Sequence, residues 1–227
     1  MGFAVYKKLL LVWPIFFVTN VEARFCVPAI WRILYTIKTP QKIQDISAKL
    51  LSFKEDEADD SVDLDTETIA LLPMYSHGQN QYVYEIPHSD ELVKIRMLRT
   101  TYSKATQLQK TKEHIAEFRT ARSLFPKFFP PEKIGSTNDG YYFVVQKKVA
   151  LPPLLKRKKY LLELLDDFKK EHPTANIEFD EKSGNYFISI LVNNKSIKIA
   201  DLNPSNIGIY NGRTVIIDSN ISVHSWN

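Results

Sequence analysis

The segment I-A-D-L-N-P-S-N-I-G-I-Y-N-G-R-T-V-I-I-D-S, residues 199–219, decides the reading of this chain. Asp201 is followed five residues later by Asn206, and two apolar runs, 207–210 and 214–217, flank Asn211-Gly212 ahead of Asp218. Asn-Gly tolerates the positive φ of a type I′ turn, so the two runs are expected to pair as a β-hairpin. Such a hairpin would set Asn206, at its start, beside Asp218, at its end. Mg²⁺ prefers hard oxygen ligands and keeps several waters, so an amide oxygen and one carboxylate are enough to hold it on nucleotide phosphates. The other carboxylate, Asp201, is then available to orient an attacking hydroxyl, the arrangement that phosphoryl transfer requires. The alternative for the same residues is a plain hairpin with Asp and Asn at its exposed ends.

Working outward, residues 78–86 alternate and end at the turn Pro87-His88-Ser89-Asp90, and E-L-V-K-I-R at 91–96 reads as the returning strand. Residues 103–125 carry Leu108, Ile115, Phe118 and Phe125 on one side of an expected helix, which Pro126 ends. Two further strands are expected at 133–135 and 140–146. Residues 156–170 set Leu161, Leu164, Leu165 and Phe168 at helical spacing, a core-facing helix. A second hairpin is expected over 176–192, across Lys182-Ser183-Gly184-Asn185, and 196–200 leads into the deciding segment.

In this order, D-L-N-P-S-N resembles the catalytic loop of the protein-kinase-like superfamily, in the D-x-x-P-x-N style of aminoglycoside and other atypical kinases. V-I-I-D-S stands where that family has its metal-binding D-F-G. The resemblance covers roughly 75–222 and implies an α+β, two-lobed protein-kinase-like fold. A β-rich N-lobe would span 66–149, and a strongly reduced C-lobe, 150–227, would hold the catalytic and metal-binding loops. It implies ATP and Mg²⁺ as cofactors, Asp201 as the residue that orients the acceptor, and Asn206 and Asp218 as metal ligands. Lys94, between Val93 and Ile95, falls on the strand lysine that neutralises the α- and β-phosphates. The helix glutamate that pairs with this lysine falls on Glu113 or Glu117, one turn apart on one face. Glu117 fits better, because Leu124 and Pro126 follow it as in the family's helix-end pattern. Gly78 would sit in the cover over the phosphates, and Gln146, Lys147 and Lys148 at the hinge that contacts adenine.

The departures from the family are specific. Gly78 is a lone glycine where G-x-G-x-x-G is usual, Ile199 and Ala200 replace the His and Arg ahead of the aspartate, and Ser219-Asn220 replace Phe-Gly. Without that arginine, an activation-loop phosphate has no charge partner. Only 221–227 follow, leaving no room for such a loop or for the helices that usually complete the second lobe. Minimal kinases of this kind resemble bacterial effectors delivered into host cells. The expected activity is ATP- and Mg²⁺-dependent transfer to a hydroxyl, on a protein first, with a small molecule or lipid headgroup next. Two alternatives remain: an inactive pseudokinase acting as a nucleotide-binding or interaction module, and a structural α+β binding protein that takes no nucleotide.

With 227 residues the chain can form one sizeable core or two small lobes sharing a cleft. A hydrophobic content of 44% excludes a largely disordered chain, and a net charge of +4 suits an anionic ligand without calling for nucleic acid. Cys26 is the only cysteine, so no internal disulfide forms, and its ordinary role is that of a small buried hydrophobe.

Residues 1–53 read as an apolar N-terminal segment followed by short helices. Lys7 and Lys8 precede the apolar run 9–18, and Ala23 follows at a cleavage point, the pattern of a secretory signal peptide and a secreted protein. The run is short for a membrane span and Pro14 interrupts it. The alternative is an apolar helix packed on the fold or touching a membrane, in a cytoplasmic or membrane-associated protein. Tyr6 stands where myristoylation after Gly2 wants Ser or Thr. Residues 24–51 read as two amphipathic helices around Pro40, and the acidic run 54–65 as a solvated linker.

Overall fold

The computed structural model describes residues 40–55, 60–77, 81–96 and 103–225. The expectations for 1–39, including the signal peptide, the first amphipathic helix and Cys26, and the one for Gly78, fall outside these residues. The architecture is mixed α+β, and from Asp45 onward the chain makes one compact unit that contains the whole candidate site.

Helix α1, Pro40–Ser52, buries Ile46, Ser47 and Leu50. It is followed by the short strand β1, Ser61–Val62, and the single turn α2, Thr66–Ile69, capped by the Asp65 carboxylate on the Thr68 N–H at 2.6 Å. Then come β2 (Met74–His77), β3 (Gln81–Glu85), β4 (Glu91–Arg96), helix α3 (Lys104–Leu124), β5 (Glu132–Thr137) and β6 (Tyr142–Lys147). These strands form one six-stranded sheet in the order β1-β5-β6-β4-β3-β2, antiparallel except for the β1–β5 pair. Leu92, Val93 and Ile95 are buried in β4, which lies in the middle of the sheet where both faces are covered.

Helix α3 starts at Ser103, whose hydroxyl accepts from the Thr106 N–H at 3.2 Å, and stops before Pro126. Its first part packs Ile115 with Ile134, Tyr142 and Val144 of the large sheet. Its end carries Ala121 and Phe125 into a second core built from the next helix and the strands that follow. Helix α4, Arg157–Glu171, turns Leu161, Leu164, Leu165 and Phe168 inward, the one-face spacing of an amphipathic helix. Phe125 and Phe128 meet Phe168 at ring distances of 5.1 and 4.7 Å. Strands β7 (Asn176–Asp180), β8 (Asn185–Val192), β9 (Lys195–Leu202) and β12 (Asn220–Ser225) make a four-stranded antiparallel sheet in the order β12-β9-β8-β7. The two remaining strands, β10 (Ile207–Tyr210) and β11 (Arg213–Ile216), form the expected hairpin between β9 and β12.

The acidic run 54–65 departs from the expectation of a solvated linker. Glu55 accepts from the Ile134 N–H at 2.6 Å and pairs with Arg122, and Asp60 pairs with Arg119 at 2.6 Å. Charge density alone marked the run as exposed, but Glu55 and Asp60 meet cations and an amide on α3 and β5. Strands β2 and β12 also went unread: M-Y-S-H lacks clean apolar alternation, whereas N-I-S-V-H-S has it only briefly, through Ile221 and Val223.

Candidate functional site

The hairpin closes as its turn chemistry demands. Asn211 and Gly212 have φ of 48° and 78°, and the register runs Tyr210↔Arg213 to Ile207↔Ile216. The next bond, from the Ile217 N–H to the Asn206 carbonyl at 3.0 Å, sets Asn206 beside Ile217, with Asp218 following. On the other side β12 pairs with β9 so that Asn220 faces Ala200, one residue before Asp201. Two independent pairings therefore carry Asp218 toward Asp201 and Asn206.

Asp201 has φ of 63°, an uncommon conformation for a side-chain-bearing residue. It persists because its surroundings over-determine it. Asn206 Nδ2 donates to the Asp201 carbonyl at 2.8 Å, and the Asp201 carboxylate accepts from Asn185 Nδ2 at 2.9 Å and Asn203 Nδ2 at 3.3 Å. A carbonyl oxygen can only accept, so the nitrogen of the Asn206 amide is committed to it. That leaves Asn206 Oδ1 as the free end, touched among the described residues only by the Ser205 hydroxyl at 3.4 Å.

Strand β4 supplies two cations on one face, since side chains two apart on a strand point the same way. Lys94 Nζ donates to the Ile217 carbonyl, directly before Asp218. Arg96 donates to Tyr142 Oη at 2.9 Å, to the Ser219 carbonyl at 3.4 Å and to Asn220 Oδ1, so it grips the two residues after Asp218. From β3, Gln81 Nε2 donates to Asp218 Oδ2 at 2.7 Å. Burial raises the Asp218 carboxyl above the usual range, while Lys94 and Arg96 pull it back down.

Behind these residues lies a cavity of about 30 Å³, lined among others by Lys94, Phe118, Glu132, Tyr142, Gln146 and Asp218. Glu132 Oε1 and Gln146 Oε1 are both shut off from solvent and have no hydrogen-bond partner among the described residues. Glu132 as a residue is half-buried, but its carboxyl end points inward, and burial pushes its pKa up to about 8 against the pull of Lys94 and Arg122. Burial also lowers Lys94 from its ordinary value, countered by Asp218 and then Glu132. A carboxyl that takes up a proton on folding stabilises most fully below its unfolded value of 4.5 and loses that contribution as pH rises through about 8. Glu132→Gln keeps the shape and removes the ionisation. The variant is expected to lose a parental fall in unfolding free energy of at most ~1.4 kcal/mol per pH unit across that window. Denaturant titrations at several pH values measure the slope, and an unchanged slope would show that the carboxyl is ionised in the fold.

The helix glutamates do not reach Lys94. Glu117 Oε1 accepts from the Val223 N–H at 3.2 Å and its other oxygen lies 3.3 Å from His114 Nδ1, while Glu113 is exposed and pairs with Lys110 at 2.7 Å. The rotation of α3 that packs Ile115 on the large sheet turns Glu117 onto β12. The acid beside Lys94 across the cavity is Glu132, on β5. Lys147 and Lys148 also point elsewhere. Lys147 pairs with Asp90 at 2.7 Å and Glu91 at 3.3 Å, and Lys148 pairs with Glu85. Gln146 does face the site, buried beside Lys94.

Residues 148–150 link the sheet to the hairpin. Ala150 and Ile209 exchange two backbone bonds, at 3.1 and 2.7 Å. Gly208 lets them close: a Cβ there would lie 2.5 Å from Val149 Cγ2 and 2.9 Å from Ile217 Cγ2. Both obstacles are stiff β-branched side chains, so Gly208→Ala is expected to cost about 1–3 kcal/mol of unfolding free energy. A variant as stable as the parent in denaturant titration would contradict this packing.

Sequence reasoning missed Arg96, Gln81, Glu132 and Asn185. Strand periodicity could have found Arg96, two residues from Lys94. Gln81, Glu132 and Asn185 arrive by pairing between distant strands and leave no local signal. Among the described residues no three His, Cys, Asp or Glu side chains gather as a metal cluster. What the site offers is the Asn206 amide oxygen and the Asp218 carboxylate, the sparse oxygen set that suits Mg²⁺ shared with phosphates and water. No family model matches the sequence, and no curated protein or solved structure matches it either.

Proposed function

We propose that this chain is an ATP- and Mg²⁺-dependent kinase with a two-lobed, protein-kinase-like arrangement, transferring a phosphoryl group to a hydroxyl, on a protein acceptor first. The observation that carries the reading is the Asn206 amide, whose nitrogen is fixed on the Asp201 carbonyl while its oxygen meets only the Ser205 hydroxyl among the described residues, on the hairpin whose far end leads into Asp218. A surface hairpin has no use for that arrangement. The order of a hairpin, a lysine strand, a helix, two strands and a linking stretch ahead of Asp201 agrees with the resemblance.

In this reading Lys94 neutralises the inner phosphates, Arg96 holds the segment that follows Asp218, and Asp201 orients the acceptor hydroxyl and takes its proton. Asn206 and Asp218 hold Mg²⁺, which neutralises charge on the phosphates when bound. A second reading, an inactive pseudokinase, is favoured by one feature: Lys94 and Gln81 already occupy the Ile217 carbonyl and Asp218.

Thermal unfolding with ATP, with and without Mg²⁺, tests nucleotide use. At a hundredfold excess over Kd the complex should gain about 2.7 kcal/mol, and only with the metal. No shift under either condition would leave the plain structural hairpin. A shift without turnover would leave the pseudokinase.

A further inference from the structure

After the linking stretch the chain runs Leu151-Pro152-Pro153-Leu154-Leu155-Lys156-Arg157-Lys158-Lys159. Leu155 is 98% exposed, Leu154 76% and Leu151 52%. Leu154–Lys156 is a 3₁₀ turn, stiffened by the two prolines ahead of it. Side chains this exposed stand on a convex tip, not in a groove. Single exposed leucines are ordinary, but two adjacent ones on one turn cost the free protein apolar hydration.

The start of α4 breaks a second rule. A helix N-terminus carries partial positive charge and favours acids. Here the first turn holds no acid, Lys156 gives no capping hydrogen bond, and Arg157, Lys158 and Lys159 follow. Arg157 is partly spent on the Pro152 carbonyl at 3.1 Å, and Lys159 leans on the exposed Glu163 at 3.6 Å. Lys156 and Lys158 have no ion pair among the described residues. Where local rules fail side by side, the cause is commonly a binding surface.

We propose that residues 151–159 contact an anionic lipid bilayer, with Leu154 and Leu155 entering the headgroup–acyl boundary and Lys156, Lys158 and Lys159 lying on lipid phosphates. One partner then relieves both defects, since apolar medium takes the leucines and anions meet the helix start. A fluid bilayer accepts a convex knob as it is, whereas a protein would need a matching recess. Among the described residues no helix is long and apolar enough to cross a membrane, so the contact lies on the surface. This inference does not rest on the kinase reading.

The test is co-sedimentation of the full chain with vesicles of phosphatidylcholine alone or mixed with phosphatidylserine. The parent should partition to the mixed vesicles, less so as salt rises. Each lysine contributes about fivefold, so Lys156→Glu/Lys158→Glu/Lys159→Glu should lower partitioning by on the order of 100-fold. Leu154→Ser/Leu155→Ser should lower it more than tenfold. Lys112→Glu/Lys182→Glu, at exposed lysines elsewhere, should keep binding far closer to the parent. Equal thermal midpoints show that the variants are folded. The proposal fails if the parent does not partition, or if either patch variant partitions like the parent, which would put binding elsewhere in the chain. It also fails if polyglutamate binds the patch while vesicles do not, which would make the partner an acidic protein.

Discussion

Asp201→Asn is expected to slow phosphoryl transfer by about 10²–10⁴-fold, the usual worth of a positioned base, while Mg²⁺–ATP still binds. The two effects separate because the Asp201 carboxylate is held by Asn185 and Asn203, and only its backbone carbonyl meets Asn206. Asparagine fills the same volume and tolerates a φ of 63°, so the fold should survive the change. Single-turnover rates and calorimetric titration of the same sample measure both quantities. Loss of binding and rate together would instead make Asp201 a ligand of the metal–nucleotide complex.

Asp218→Asn should act the other way round and remove Mg²⁺-dependent binding, by on the order of 100-fold or more in affinity. Its carboxylate is the one anion that faces both Lys94 and Arg96. The Gln81 contact to Oδ2 survives with asparagine, so the change isolates charge from shape. It also removes the acid shared by two partly buried cations, leaving Glu132 to face Lys94 and Asp201 to face Arg96, so stability changes as well. Binding should therefore be compared at temperatures where both proteins are folded. An asparagine variant that binds Mg²⁺–ATP like the parent would remove Asp218 from the metal site.

What could be read from the sequence was local. Asn211-Gly212 between two apolar runs specified the hairpin, and E-L-V-K-I-R specified a returning strand with Lys94. Ser103 and Pro126 marked both ends of the long helix. What could not be read depends on how elements rotate and pair. The helix glutamates looked equivalent on paper, but packing of Ile115 under the large sheet sends Glu117 to the Val223 N–H. The acid across from Lys94 comes from β5 instead, because β6 pairs with both strands: Val144 faces Lys94 on one side while Gln146 faces Glu132 on the other. Lys147 and Lys148 looked like hinge ligands, yet acids on the β3–β4 hairpin claim them. The acidic run read as solvent-facing because no window of sequence contains Arg119 and Arg122 together with Glu55 and Asp60.

The most direct measurement of the central claim follows γ-labelled ATP incubated with the folded parent and Mg²⁺. ADP should form and the label should appear on a hydroxyl, of this chain or of an added protein, in amounts that fall to background for Asp201→Asn and without the metal. If the parent binds no Mg²⁺–ATP and moves no label, while Asp201→Asn and Asp218→Asn behave like it in every assay, the converging Asp201, Asn206 and Asp218 are structural and the kinase reading is wrong.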